Sequence, residues 1–229
     1  MSDVAQSWGG KALVHEWYPV EGALTAILLC PTVMGVTELE RGFAADLNAK
    51  GHSVLIADLY GARFTSETRT EARAAMDALR ADRAGLRDLL VAVLECFRPL
   101  AGDLVPIVAI GFCFGGGCVL DLARSGADIA GVASFHGLFD PPGLEPRPIS
   151  ARVIAFHGWD DPLATPDSVV ALGAEFSAAG CDWQIHGYGG VGHGFTNPGA
   201  TGTMPGVKYD AVAARRSWAG LDHFLGEIA

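Results

Sequence analysis

The chain has 229 residues, of which 50% are hydrophobic and 18% are charged, and its 26 acidic and 16 basic residues give a formal charge of −10. This composition excludes a mainly disordered chain, because disorder requires low hydrophobicity and high charge, and the length fits one domain. The acidic balance argues against binding to nucleic acid or to an anionic membrane, since both would repel this surface.

Membrane insertion and secretion are not expected either. The most continuous apolar stretch, 24–30, is far shorter than the roughly 20 residues that a membrane span needs. The first residues lack the basic region and the apolar run of a secretory signal. The five cysteines are odd in number and show no paired spacing, so we expect a reduced cytoplasmic protein without disulfides.

Short apolar runs rich in valine and isoleucine alternate along the chain with longer amphipathic runs. The short runs predict strands at 12–18, 24–30, 53–57, 105–110, 129–135, 152–157 and 182–187. Several of them are apolar throughout, which is typical of strands that are buried on both faces of a mainly parallel sheet.

Helices are predicted between these strands. They cover about 38–50, 67–99 with a break at Gly85, the stretch from Gly115 to about 125, a segment that starts at Thr165-Pro166-Asp167, and about 207–227. Thr37 and Glu40 form a capping-box pattern before the first helix. The buried side of the last helix is expected to contain Val212, Leu221, Phe224 and Leu225. The alternation of strands and helices predicts an α/β fold in a single domain over 1–229.

The strongest chemical signal is the segment 111–117, Gly-Phe-Cys-Phe-Gly-Gly-Gly, which follows an apolar strand and opens a helix. It matches the nucleophile-elbow pattern G-x-S-x-G with cysteine in place of serine, and glycines relieve the clashes of such a tight turn. The turn would present the Cys113 thiol at a helix N-terminus, where the dipole favours a thiolate. An inert core cysteine and a phosphate-binding glycine turn are the alternatives.

An orienting acid and then a histidine should follow such a nucleophile along the chain. Asp161 lies just after the predicted 152–157 strand, and His193 lies in the glycine-rich loop after the 182–187 strand. In a triad the histidine takes the thiol proton, and the aspartate fixes the imidazole tautomer and stabilises the imidazolium. Asp160 competes with Asp161 for this role, while His136 and His157 are expected to be structural.

These motifs resemble those of the dienelactone hydrolase family of α/β-hydrolases over nearly the whole chain. The matching pieces are Gly35, Asp58-Leu-Tyr-Gly61, the Cys113 motif, Gly158-Trp-Asp-Asp161 and Gly192-His-Gly-Phe-Thr-Asn-Pro198. The resemblance implies an α/β-hydrolase fold, with a mainly parallel central sheet and helices on both faces. It also implies Cys113, Asp161 and His193 as the triad, and an oxyanion hole formed by the backbone N–H groups of Val33 and Phe114.

The chain departs from the family pattern at the positions that activate the thiol and bind the substrate. The enzymes that name the family carry a glutamate where this chain has Thr32, and an arginine soon after the catalytic histidine, where this chain has none. Arg73 and Arg83 are the candidates for another carboxylate clamp, with a partly buried salt bridge or a solvated side chain as the alternatives for Arg83. We therefore expect a small and less charged ester, lactone or thioester as substrate.

A pocket for this substrate is expected beside the triad. Its candidate residues are Thr32, Tyr60, Trp159 and Phe195, with Phe64, Phe112 and Phe114 as further aromatic candidates. A place in the core is the alternative for each of the aromatic residues. No metal site and no cofactor are expected, because no zinc-ligand pattern occurs. The protein is expected to act as a monomer or homodimer.

Three functions follow from these observations. The first is hydrolysis through an acyl-cysteine intermediate, and the second is a catalytically silent protein that binds a small molecule or another protein. The third is a thiol redox protein, against which Cys118 counts, because five residues of helix turn it away from Cys113.

Overall fold

The computed structural model describes residues 1–103 and 105–229, and its main feature is a sheet of eight strands. The strands are β1 (Ser2–Trp8), β2 (Lys11–Tyr18), β3 (Ala26–Cys30), β4 (Ser53–Ile56), β5 (Ile107–Phe112), β6 (Gly131–Phe135), β7 (Arg152–Gly158) and β8 (Trp183–Tyr188). They lie in the order β1-β2-β4-β3-β5-β6-β7-β8. The β1–β2 and β2–β4 pairs are antiparallel, and the other neighbours in this sheet are parallel.

Helices cover both faces of the sheet, as predicted. They are α1 (Glu38–Ala49), α2 (Arg69–Ala81), α3 (Arg83–Ala101), α4 (Phe114–Arg124), α5 (Pro166–Ala178) and α6 (Ala211–Gly226). One core contains buried side chains of α1 and α6, and the other contains those of α2, α3, α4 and α5. Strands β3, β4, β5 and β6 are buried at every residue, because a covered parallel sheet has no solvent face.

The long helical region breaks at Asp82, so the predicted break at Gly85 is wrong. The Asp82 carboxylate accepts a hydrogen bond from the Gly85 N–H at 2.9 Å and caps α3, which leaves Gly85 inside the first turn of that helix. Aspartate is favoured at this position, since it satisfies an N–H group that has no partner within the helix.

The prediction for the last helix was wrong in two respects. The helix begins at Ala211 and not near residue 207, because Val207–Lys208 forms a strand, β10. Val212 is 43% exposed, and the buried residues of the first turn are Ala213 and Ala214.

Two strand segments escaped the sequence prediction. The edge strand β1 has polar residues at 2, 3, 6 and 7, and it pairs with β2 along its whole length. The other segment is a small hairpin of β9 (Thr201–Met204) and β10, which pair antiparallel and lie next to the His193 loop. Within residues 1–103 and 105–229, no helix has both the length and the apolar character needed to cross a membrane.

Candidate active site

Cys113 forms the turn between β5 and α4. Its φ of +56° lies in the left-handed region, which is strained for a residue with a side chain. The Cys113 N–H donates to the Phe135 carbonyl at 3.0 Å, and its carbonyl accepts from the Gly117 N–H at 3.2 Å. The turn is therefore fixed both to β6 and to the first turn of α4, at the carboxyl end of the parallel strands.

The glycines around Cys113 are required by backbone packing. A Cβ atom at Gly115 would lie 2.2 Å from the Cys30 carbonyl oxygen, and one at Gly111 would lie 2.0 Å from the Gly115 carbonyl oxygen. Both distances are far inside van der Waals contact. The strand-to-helix turn thus rests directly on the end of β3, and no side chain separates the two.

Asp161 and His193 form a buried hydrogen-bonded pair. His193 Nδ1 lies 2.8 Å from Asp161 Oδ2, and the Leu163 N–H donates to Asp161 Oδ1 at 2.8 Å. The exposed fractions of Asp161 and His193 are 2% and 4%, whereas Asp160 is exposed. The structure therefore brings Asp161, and not its neighbour, to the imidazole.

The loop that carries His193 is held in place by the β9–β10 hairpin. The His193 N–H donates to the Gly206 carbonyl at 2.7 Å, and the Lys208 N–H donates to the His193 carbonyl at 3.0 Å. The imidazole is thus fixed on its backbone by the hairpin and on its ring by Asp161. Its Nε2 atom is buried and has no hydrogen-bond partner within the described residues.

The pKa shifts of Cys113 and His193 are coupled. Burial raises the pKa of the Cys113 thiol, but the positive charge of His193 and the backbone N–H groups of Phe114 and Val33 outweigh burial, so the pKa is lowered. Burial acts to lower the pKa of His193, but the negative charges of the Cys113 thiolate and Asp161 outweigh it, so the pKa is raised. Together the shifts favour a thiolate beside an imidazolium.

The other four cysteines have the opposite shift. Burial raises the pKa of Cys30 to about 12 and that of Cys181 to about 11, and it also raises the pKa of Cys96 and Cys118. A thiol of this kind is inert at neutral pH. Cys113 therefore has an environment different from that of a core cysteine.

The four residues predicted for a pocket lie in different environments. Tyr60 is buried, its ring stacks 6.2 Å from that of Phe114, and its hydroxyl has no hydrogen-bond partner within the described residues. Thr32 is half-buried beside Val33. Trp159 is 43% exposed and packs on β8.

Phe195 is a core residue, which corrects its expected place in a pocket wall. Its ring is fully buried and lies edge-on to His136 and Tyr188, at centroid distances of 5.1 and 5.6 Å. Phe112 is also fully buried, in a stack with Phe43 and Phe135.

The two candidate arginines do not form a free cationic clamp. The Arg83 guanidinium is mostly buried and pairs with Asp121 at 2.6 Å and with Asp140 at 2.5 Å, so the salt-bridge alternative is confirmed. The Arg73 side chain is 67% exposed and lies 3.9 Å from Asp77. Each guanidinium already faces a carboxylate of the same chain.

Two further histidines pack near His193. The His136 ring lies edge-on to His193 at 5.0 Å, and its Nε2 is 2.8 Å from Thr196 Oγ1. Burial lowers the pKa of His136 and of His157, so both rings are neutral at neutral pH. Both rings lie close to His193. Nowhere in the described ranges do three histidine, cysteine or carboxylate side chains converge as metal ligands.

A cavity of about 620 Å³ lies elsewhere, between α5 and the proline-rich segment 141–148. Its polar lining includes Arg124, Asp121 and Glu175, which pair with one another. None of the predicted site residues lines it, so this cavity is separate from the site around Cys113.

The comparisons with known proteins cover almost the whole chain. The model of the dienelactone hydrolase family matches residues 16–229. The chain belongs to the dienelactone hydrolase family. A solved structure described as m3DLH is 31% identical, covers 99% of this chain and 97% of its own, and superposes with a TM-score of 0.90.

Other relatives of this dienelactone hydrolase family member agree. A dienelactone hydrolase-like promiscuous phosphotriesterase, P91, from metagenomic libraries is 28% identical, with a TM-score of 0.86 over 99% of this chain and 97% of its own. Carboxymethylenebutenolidase 2 of Cupriavidus pinatubonensis is 29% identical over 213 residues, which are 87% of this chain and 84% of the relative. The family and the α/β-hydrolase fold predicted from the sequence are thereby confirmed.

Sequence reasoning missed two groups that shape this site. One is the β9–β10 hairpin, whose short exposed segments give no strand signal. The other is Glu40, which was recognised only as a helix cap, although its carboxylate also hydrogen-bonds Thr32 beside Val33. The capping-box pattern was the only sequence signal for Glu40.

Proposed function

We propose that this member of the dienelactone hydrolase family hydrolyses small, weakly charged carboxylic esters, lactones or thioesters through a Cys113–His193–Asp161 triad. The observation that carries the proposal is the environment of the Cys113 thiol. It is the one cysteine with a lowered pKa, and His193 and two backbone N–H groups outweigh its burial.

The proposed reaction has two halves. The Cys113 thiolate attacks the carbonyl carbon, and the resulting oxyanion accepts hydrogen bonds from the N–H groups of Val33 and Phe114. When the tetrahedral intermediate collapses, the C–O or C–S bond to the leaving group breaks, and the His193 imidazolium gives its Nε2 proton to that group. Neutral His193 then takes a proton from water, which attacks the acyl-cysteine and releases the acid and the thiolate.

Each residue of the proposed triad acts through the contacts described above. Because Asp161 accepts from Nδ1 of His193, the Nε2 atom of the ring is left for proton exchange with sulfur and leaving group. The position of Cys113 at the N-terminus of α4 adds the favourable end of the helix dipole to the thiolate. The preorganised N–H groups of Val33 and Phe114 should each lower the barrier to acyl transfer by about 3–4 kcal/mol.

The substrate class follows from charge. Arg83 is neutralised by two carboxylates, and the segment 195–198 carries no arginine. A substrate with its own carboxylate would therefore meet no unpaired arginine among these candidates. This favours neutral esters, lactones or thioesters with small acyl groups.

The first experiment compares wild type, Cys113→Ala, Asp161→Asn and Asp160→Asn on p-nitrophenyl esters of increasing acyl length. Wild type should turn over short acyl esters, and Cys113→Ala should lose at least about 1000-fold. Asp161→Asn should lose about 1000-fold or more, since it leaves the ring in the wrong tautomer, whereas the matched Asp160→Asn should keep wild-type turnover. Circular dichroism checks that every variant is folded.

The same experiment tests the silent binding protein. Turnover in wild type no greater than in Cys113→Ala on every ester would contradict the hydrolase proposal and favour ligand binding without chemistry. Equal losses in Asp160→Asn and Asp161→Asn would contradict the assigned acid.

A further inference from the structure

Glu40 is a buried carboxylate that joins helix α1 to the loop carrying Val33. It is fully buried and accepts hydrogen bonds from two threonines. Its Oε1 accepts from the Thr32 N–H at 3.1 Å and from the Thr32 hydroxyl at 2.9 Å. Its Oε2 accepts from the Thr37 N–H at 3.1 Å and from the Thr37 hydroxyl.

A helix cap explains only half of this arrangement. In a capping box the third helical residue accepts from the N-cap backbone, and here that is the contact between Oε2 and the Thr37 N–H. The contacts of Oε1 reach five residues further back and have no role in ending the helix. A carboxylate is buried at a high desolvation cost unless it is hydrogen-bonded, so Thr32 is strongly tied to Glu40.

We propose that Glu40, acting through Thr32, is a positioning residue for the oxyanion donor Val33 N–H. This inference rests on the proposed hydrolase function. The Thr32 N–H and hydroxyl are fixed by Glu40, and the Thr32 carbonyl accepts from the Gly35 N–H at 3.0 Å. Because the peptide unit is planar and trans, a fixed Thr32 carbonyl also fixes the direction of the Val33 N–H, which points the opposite way.

The turn gives this N–H a single orientation. Gly35 has a φ of +71°, and a Cβ atom there would lie 3.2 Å from the Tyr60 ring. Thr32 is thus held at its N–H, its hydroxyl and its carbonyl, and the next N–H along the chain, that of Val33, is one of the two backbone groups that lower the pKa of the Cys113 thiol. An oxyanion donor is effective only when it is fixed before the reaction begins.

The test compares Thr32→Val, which removes only the hydroxyl, with Thr32→Ser, which restores it. Thr37→Val is the matched control, because it removes a hydroxyl from the other oxygen of the same carboxylate and weakens the same helix cap. Thr32→Val should lower kcat for a short p-nitrophenyl ester about 10-fold with KM unchanged. Thr32→Ser should recover most of kcat, and Thr37→Val should lose thermal stability while keeping kcat within about 2-fold.

Alkylation of Cys113 by iodoacetamide separates oxyanion geometry from thiol reactivity, since alkylation forms no oxyanion. Its limiting rate at high pH should be the same in wild type and Thr32→Val. Equal losses of kcat in Thr32→Val and Thr37→Val, or a limiting alkylation rate that falls with kcat, would overturn the positioning role.

The outcomes also distinguish this inference from the proposed function. If Cys113→Ala is inactive but Thr32→Val equals wild type, only the role of Glu40 fails. If wild type has no ester turnover, both fail. Glu40→Gln is the second variant, and it keeps one carbonyl oxygen that accepts from Thr32. Its kcat should therefore lie between those of wild type and Thr32→Val. A loss of kcat greater than that of Thr32→Val, at an unchanged alkylation rate, would contradict an effect of Glu40 through Thr32.

Discussion

The turn that carries Cys113 and the loop that carries His193 rest on different supports, a buried strand and an exposed hairpin. The Cys113 turn packs backbone on backbone, and Gly115 rests on the Cys30 carbonyl with no room for a Cβ atom. The His193 loop packs instead on the exposed β9–β10 hairpin, where a Cβ atom at Gly192 would lie 2.2 Å from the Gly206 carbonyl oxygen, and hydrogen bonds join it to the hairpin and to Asp161.

We therefore expect the Cys113 turn to be rigid and the His193 loop to be able to adjust its position. Close packing has no alternative arrangement, so a change in the Cys113 turn acts on the folding of the whole protein. An exposed hairpin is able to shift, and the loop with it, when one of its hydrogen bonds is lost, at a free-energy change of about 1 kcal/mol. Mutations in the first region should therefore reduce stability, and mutations in the second should reduce turnover.

Gly115→Ala should have the largest effect on stability. The new methyl group would overlap the Cys30 and Pro31 carbonyl oxygens, at 2.2 and 2.5 Å, so the turn must move. We expect a loss of about 3 kcal/mol or more in the free energy of unfolding, measured by urea denaturation. Gly42→Ala is the control, because a Cβ atom there meets nothing within 4 Å and alanine favours the helix. Similar stabilities of the two variants would contradict the packing argument.

Lys208→Pro should affect turnover more than stability. Proline has no N–H, so the hydrogen bond to the His193 carbonyl is lost, while Lys208→Ala keeps it. We expect kcat/KM for a short ester to fall about 10- to 100-fold, because a small displacement of the imidazole disturbs proton transfer. The free energy of unfolding should fall by only about 1 kcal/mol. A large fall in the free energy of unfolding at unchanged kcat/KM would contradict this prediction.

The pH dependence of alkylation measures how the two regions are coupled. His193 and the backbone N–H groups of Phe114 and Val33 together outweigh burial and lower the pKa of Cys113, so the midpoint of the alkylation rate in wild type should lie below the ordinary thiol value. In His193→Ala burial acts without that positive charge, and the midpoint should rise by about one unit or more. An unchanged midpoint would show that the thiol is not coupled to the imidazole.

The fold was predictable where strands are buried on both faces. Strands β3 and β5 are continuous apolar runs, and no surface residue interrupts them. The strand β1 could not be predicted, because its polar and apolar residues do not alternate, and only its pairing with β2 makes it a strand. The hairpin β9–β10 is short and exposed, and its partner is the His193 loop rather than a core.

The site was predictable to the extent that its motifs are local. Cys113 lies in a glycine turn whose spacing reflects close packing, and Asp161 and His193 each follow a predicted strand. The contact of Glu40 with Thr32 joins two elements, whereas the four-residue capping box that ends at Glu40 predicts only its role as a cap. The second role of Glu40 could not be predicted from the sequence, because its contact with Thr32 depends on the folded chain and its capping role already accounts for a glutamate at this position.

The end of strand β3 has a mechanical consequence. Its carbonyl at Cys30 supports the turn of Cys113, and the residues that follow it, 32–35, carry the Val33 N–H. The Cys113 turn and the Val33 amide are therefore supported by the same strand end, whereas the imidazole is held by a separate hairpin and by Asp161. Thermal motion should change the separation of sulfur and imidazole more than that of sulfur and amide. As the protein is warmed toward unfolding, proton transfer should then become the first step to slow.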